Sequence, residues 1–396
     1  METFDVIVIG GGMMGAPCAR HLAEAGHSVA LVAPPEPPVK TEWQGPFGSH
    51  YDAARITRRV AADADWSLLS TRSIARYRDL EARAGRSIFH ETGALMAGPE
   101  EGPMATFTAS FRAVARDLSP QPVELGACET WEDLGLALPS ESVATYEADL
   151  AGWMDPRAMR DAQIALAGQA GATRFAQAAE TRTGGRVTLT DGTTIEAAQV
   201  VVATGPHAAM GGLLPRVPRM KVWARTIAFA RLSEETGAAL ADMPSVIFVP
   251  EGWNHDLYVL PPVRYPDGHL YLKIGGQVDS PRITSPAEMR AWFHGTGDAD
   301  VGARLLRELA NLLPGTSFEA THTEPCAVVW TDTGFPYIER IDATCTALIG
   351  GNGAAAKCGD ELGRLGAIVA TGGALDGEGY AQDFGGVWQD AATAAE

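Results

Sequence analysis

The chain has 396 residues, 46% of them hydrophobic and 20% charged, the composition of a folded protein long enough for two packed domains. A formal net charge of −18 opposes encounter with nucleic acid or an anionic membrane, so neither is expected as a partner. The five cysteines, Cys18, Cys128, Cys326, Cys345 and Cys358, are scattered and form no CxxC pair, so a reducing compartment is expected. With no basic, apolar leader and no apolar run near the roughly 20 residues that span a bilayer, the expectation is a cytoplasmic protein without a membrane partner.

Residues 4 to 9, FDVIVI, are a β-branched apolar run that breaks at three glycines and passes into helical spacing through Ala16, Ala19, Leu22 and Ala23. A second run, SVALV at 28 to 32, stops at the proline-rich APPEPP, which no regular element can continue, and the whole reads as one βαβ unit. Residues 63 to 86 read as helix, and 88 to 98 as a strand pair around Gly93. Helical spacing returns at 156 to 170; residues 187 to 197 read as a hairpin turning at Asp191 and Gly192, followed by the strand QVVVATG. From about 219 to 330 strand-like runs dominate, an antiparallel sheet different in kind from the βαβ opening. The last block, from CTALIGGNG onwards, is again strand, glycine turn and helix.

The predicted fold class is therefore α/β plus β, a Rossmann-like dinucleotide domain assembled from separated segments beside an antiparallel-sheet domain. The expected boundaries are 1–88, 152–218 and 334–396 for the first, and 89–151 and 219–333 for the second. Gly10, Gly12 and Gly15 fit GxGxxG between a strand and a helix, where glycines permit a tight turn, close approach to a pyrophosphate and helix-on-strand contact. The acidic residue that ordinarily ends the second strand and holds the ribose is missing, since Ala33 stands there. Glu36 is the nearest acid, with a solvated turn residue as its rival reading. No catalytic triad, HExxH or Walker loop occurs and no histidine pair has metal-ligand spacing, so no metal is expected.

Seven pieces, in order, carry a resemblance over nearly the whole length: FDVIVIGGGMMG (4 to 15), GSHYDAARITR (48 to 58), ETGALMAGP (91 to 99), VVVATG (200 to 205), LYLKIG (270 to 275), VVWTDT (328 to 333) and IGGNGAAAK (349 to 357). The chain resembles the monomeric sarcosine oxidase and N-methyltryptophan oxidase family of D-amino-acid-oxidase-like flavoproteins. The resemblance implies FAD along Gly10, Gly12, Met13, Met14, Gly15, Ser49, Arg55, Thr204, Gly205, Gly351, Asn352, Gly353 and Lys357. It implies Arg58 as anchor for a substrate carboxylate, Arg55 as a charge beside the flavin, and Lys357 as a second carboxylate partner. Lys273 matches the lysine that stands over the flavin and activates dioxygen, and Tyr258 and Trp330 match aromatic pocket positions.

There are departures. Ala354 replaces the family's loop histidine. His207 replaces an aromatic and is read as packing. The covalent flavin cysteine falls at Val328, leaving Cys326, two residues earlier, as a buried core cysteine and FAD non-covalently bound.

The reading that follows is FAD-dependent oxidation of the C–N bond of a small secondary or tertiary amine, an N-methyl or N-substituted amino acid, with dioxygen as acceptor and H2O2 as product. A monomer or small homo-oligomer is expected. The alternatives are a dehydrogenase passing electrons to a quinone or partner protein, a flavin-holding subunit of a larger complex, and an NAD-dependent dehydrogenase, the last disfavoured by the two further glycine-rich segments.

Overall fold

The computed structural model describes residues 1–126, 134–276, 278 and 280–389. Cys128 lies outside the described residues.

The opening run forms the strand Glu2–Ile9, its last four residues buried, and the helix Gly15–Glu24 packs its apolar stripe back on the sheet. Two strands flank it in parallel: Val29–Val32 on one side, with Ile7 opposite Ala30, and Thr194–Val202 on the other, with Ile7 opposite Val200. Buried on both faces, these strands are continuously apolar rather than alternating. The eight-stranded sheet they centre also takes Thr173–Phe175, Ala179–Thr183, Arg186–Leu189, Tyr337–Arg340 and Cys345–Ile349. The helix Ala355–Ala370 returns across it and packs on Gly15–Glu24 and Ala64–Ile74.

A nine-stranded sheet takes its strands from 94–147 and 220–331. It is antiparallel except where Ser245–Phe248 runs parallel to Ala94–Pro99, so the purely antiparallel sheet expected from the sequence is in fact mixed. A small three-stranded sheet, Arg55–Thr57, Gly152–Met154 and Phe89–His90, lies apart from both.

Three local expectations change. The helix expected over 63–86 is two helices, Ala64–Ile74 and Tyr77–Ala84. The strand pair expected around Gly93 is not a hairpin, because Phe89–His90 belongs to the small sheet and Ala94–Pro99 to the large one. Gly93 makes that transfer at φ +80°, where a Cβ would also lie 2.8 Å from the Tyr146 hydroxyl, so only glycine fits without strain. The second arm of the hairpin and QVVVATG are one strand, Thr194–Val202, whose first half pairs antiparallel with Arg186–Leu189 and whose second half pairs parallel with Cys345–Ile349.

Candidate active site

A cavity of about 800 Å³ runs from the glycine turn to the large sheet. At one end Gly10 has φ +106°, and a Cβ there would meet the Ala203 carbonyl oxygen at 2.4 Å; a Cβ on Gly15 would lie 1.8 Å from the Gly10 oxygen. A Cβ on Gly12 would instead meet only the His50 ring, at 3.9 Å, so this backbone is open to the cavity. The turn is closed by glycine where chain meets chain and bare where a ligand would approach, at the N-terminus of the helix Gly15–Glu24. Met13, Met14, Ser49, Thr204, Gly205, Gly351, Asn352 and Gly353 line the same cavity.

Several buried polar atoms around it have no partner among the described residues: the Thr204 hydroxyl, both His50 ring nitrogens, His207 Nε2 and Lys357 Nζ. Unsatisfied buried groups are costly, so these atoms are available to a ligand or to water in the cavity. Burial, with Arg160 and Arg157 nearby, pushes His50 down to about 3, so its ring is neutral.

The segment after Asp52 delivers the arginines. Arg55–Thr57 is a short strand held against Gly152–Met154. Beyond it Arg59 turns inward: its Nε lies 3.1 Å from Glu147 Oε1, its guanidinium donates to the carbonyls of Ser119 and Pro120, and Glu147 Oε2 accepts from the Val60 N–H at 2.8 Å. With Arg59 anchored, Arg58 points into the cavity, its Nε against Met96 Sδ at 3.2 Å, with no carboxylate partner among the described residues. Burial holds its pKa below the usual arginine value, against the charges of Glu147 and Asp256. Lys357 also lines the cavity, 5% exposed, and burial pushes it to about 8, with Arg58 contributing in the same direction.

The large sheet forms the floor. Met96, Ile247, Tyr258 and Gly275 lie opposite one another across four strands, and a Cβ on Gly275 would strike the Tyr258 hydroxyl at 2.4 Å, so the missing side chain lets that ring lie across its neighbour. Trp330 lines the cavity facing Gly353, and Arg225, Cys326 and Val328 continue the wall.

Not every residue singled out from sequence arrives there. Lys273 does not line the cavity. It is 1% exposed beneath the 52–55 segment, where Nζ donates to Asp52 Oδ2 at 2.7 Å and to the Ala54 carbonyl. Asp52 also accepts from Arg55 and from the Tyr265 hydroxyl; burial would raise its pKa, but Arg55 and Lys273 outweigh this and hold it below the carboxylate range. Glu36 accepts from Arg157 Nε at 2.6 Å and Nη2 at 2.7 Å and does not line the cavity. Cys326 is half-buried in the cavity wall rather than in the core, and His207 lines the cavity as well as packing. His50, Arg225 and Asp256 were missed. His50 lies inside the GSHYDAARITR piece and could have been found there; nothing in the sequence marks the other two.

A glycine turn on a helix N-terminus, cations without carboxylate partners among the described residues and the rings of Tyr258 and Trp330 share one cavity, an arrangement of the kind found in dinucleotide-dependent oxidoreductases. A family profile described as FAD dependent oxidoreductase matches residues 5–374, and the chain belongs to that family. It is 26% identical over 321 residues to the N-methyl-L-tryptophan oxidase of Salmonella arizonae, covering 79% of each chain. It is 33% identical over 175 residues to the monomeric sarcosine oxidase of Streptomyces avermitilis, covering 43% of this chain and 42% of that one. The structure of NikD, an unusual amino acid oxidase essential for nikkomycin biosynthesis, shares the fold, with a TM-score of 0.75 over 98% of this chain and 99% of that one at 22% identity. Among the described residues no helix is long and apolar enough to cross a membrane, and no cluster of metal-ligating side chains occurs.

Proposed function

We propose that this protein oxidises the C–N bond of a small secondary or tertiary amine, an N-methyl or N-substituted amino acid, with FAD. The observation that carries the reading is the pair of unpartnered cations, Arg58 and Lys357, in one cavity with the glycine turn. When bound, FAD supplies the ring that accepts two electrons from the substrate. Gly10, Gly12, Met13, Met14, Ser49, Arg55, Thr204, Gly205, Gly351, Asn352, Gly353 and Lys357 are the residues proposed to hold it, with Gly15 supporting the turn. The cofactor unit is proposed to comprise 1–88, 152–218 and 334–396, and the substrate unit 89–151 and 219–333.

In this account Arg58 and Lys357 hold the substrate carboxylate, the first through two parallel hydrogen bonds from a planar fork. Their charges also lower the proton affinity of an adjacent amine, favouring the free base that this oxidation needs. Tyr258 and Trp330 wall off water and orient the substrate, and no general base is assigned.

Dioxygen as acceptor, with H2O2 as product, is supported by the named activities of the relatives. A second reading, transfer to a quinone or partner protein, is favoured by Lys273 standing outside the cavity, since a charge tied to Asp52 is not presented to oxygen there. Screening N-methyl amino acids for release of aldehyde or 2-oxo acid, with oxygen uptake measured against dye reduction, tests both. Aldehyde or 2-oxo acid with matching oxygen uptake supports the oxidase, dye reduction alone supports the dehydrogenase, and release of neither product from any amino acid contradicts the function. Non-covalent attachment rests on Val328; acid precipitation should leave all flavin in the supernatant, and a yellow pellet would contradict it.

A further inference from the structure

Asp256 immediately precedes the strand Leu257–Arg264 and stands two residues before Tyr258, so the pleat sends both side chains to one side while Leu257 between them is fully buried on the other. Asp256 lines the cavity beside Ile247, Tyr258 and Gly276. Tyr258 lies opposite Ile247, and Ile247 opposite Met96, the residue against which Arg58 rests. Asp256 and Arg58 thus face one cavity from positions two strands apart. They form no ion pair, and among the described residues no side chain donates to the Asp256 carboxylate. Burial raises its pKa, while its own backbone N–H and the charges of Arg58 and His255 oppose this.

The cavity therefore offers unpaired positive charge for one end of a ligand and an unpaired carboxylate for another. The acid is unsuited to the reacting nitrogen, because a carboxylate raises the proton affinity of an amine that has to be unprotonated to react. Its fitting partner is a nitrogen that stays charged throughout. We propose that Asp256 is a specificity-determining residue that receives a second, protonated nitrogen, so that the preferred substrate is an N-substituted amino acid with a cationic side chain. The proposal rests on the carboxylate-binding role given above to Arg58 and Lys357.

Calorimetry on the holoenzyme tests it with non-reacting pairs that differ only in a terminal ammonium: β-alanine against propionate, γ-aminobutyrate against butyrate, ε-aminocaproate against caproate. At the best-fitting length the amino carboxylate should bind about tenfold or more tightly than its plain counterpart, the effect of one charge-assisted contact. In Asp256→Asn that preference should vanish, and in Asp256→Glu it should move to a shorter chain, an outcome that loss of folding cannot imitate. Turnover should follow, with the kcat/KM ratio of Nα-methyl-L-lysine to N-methyl-L-norleucine falling about tenfold in Asp256→Asn. If both carboxylates bind equally, or the preference survives in Asp256→Asn, the role of Asp256 is overturned while carboxylate binding stands. If neither binds, the Arg58 and Lys357 reading falls and takes this one with it.

Discussion

Arg58 and Arg59 are neighbours with opposite fates, and Glu147 decides between them. Arg59 is 2% exposed and spends its guanidinium on Glu147 and two carbonyls, which leaves Arg58 the only one of the two facing the cavity. A substrate carboxylate would be its missing partner. Arg58→Ala should therefore weaken binding of a carboxylate substrate by about 2 to 5 kcal/mol, read as a raised KM, because the charge left behind is part-buried and unpaired. An unchanged KM would mean that the substrate carries no carboxylate or that Arg58 does not touch it. The arginine spacing was readable because the quoted piece is contiguous. Lys273 shows the limit: strand alternation puts it on the face of Gly275, but only the chain crossing over that face, with Asp52 and Ala54, reveals that the position is covered. The same limit hid Asp256, whose role depends on strands more than a hundred residues away in sequence.

At the scale of elements, the 55–60 segment is positioned by a buried ion pair together with the apolar packing of Ile56 and Val60. Arg59 and Glu147 have side-chain exposures of 3% and 1%, and Glu147 also accepts from the backbone at Arg59 and Val60. Removing one partner of such a pair strands a buried charge, so Glu147→Ala should cost about 3 to 5 kcal/mol of stability. Denaturant unfolding measures this; a change below about 1 kcal/mol would show that the pair is solvated and does not fix the segment. The parallel strands, the glycine turn and the helices at both ends were legible because their periodicities are local. What was not legible is where one sheet hands over to another: the break at Gly93, and the division of Thr194–Val202 between two partners, depend on pairing across the fold. The parallel contact of Ser245–Phe248 with Ala94–Pro99 is likewise invisible to a pattern read along the chain.

Across the whole molecule, the helices behind the glycine turn are tied through acids on Ala355–Ala370. Asp360 accepts from Arg20 at 2.7 Å, from Gln163 at 2.8 Å and from Arg76, and Glu361 accepts from Arg76 at 2.6 Å and Arg364 at 2.8 Å. Burial would raise both pKa values, but these partners, with His21 foremost at Asp360 and Arg364 at Glu361, more than reverse it. Asp360 is held below the carboxylate range and Glu361 falls to about 2 from the ordinary 4.5. Because the folded values lie below the unfolded ones, this stability is fully present above the unfolded pKa and is lost as the pH falls through the folded value. Unfolding free energy should therefore drop between about pH 4.5 and 2, and Glu361→Gln should flatten that slope; an equal slope in the variant would remove Glu361 from the account.

The central claim, that this site takes electrons from an amino-acid amine into bound FAD, is tested most directly by anaerobic titration of the purified protein in the visible range. The account predicts flavin absorbance in the isolated protein, lost on adding an N-methyl amino acid and not on adding NADH. A protein that shows no flavin, or whose flavin absorbance persists through every N-substituted amino acid yet is lost with NADH, would contradict it.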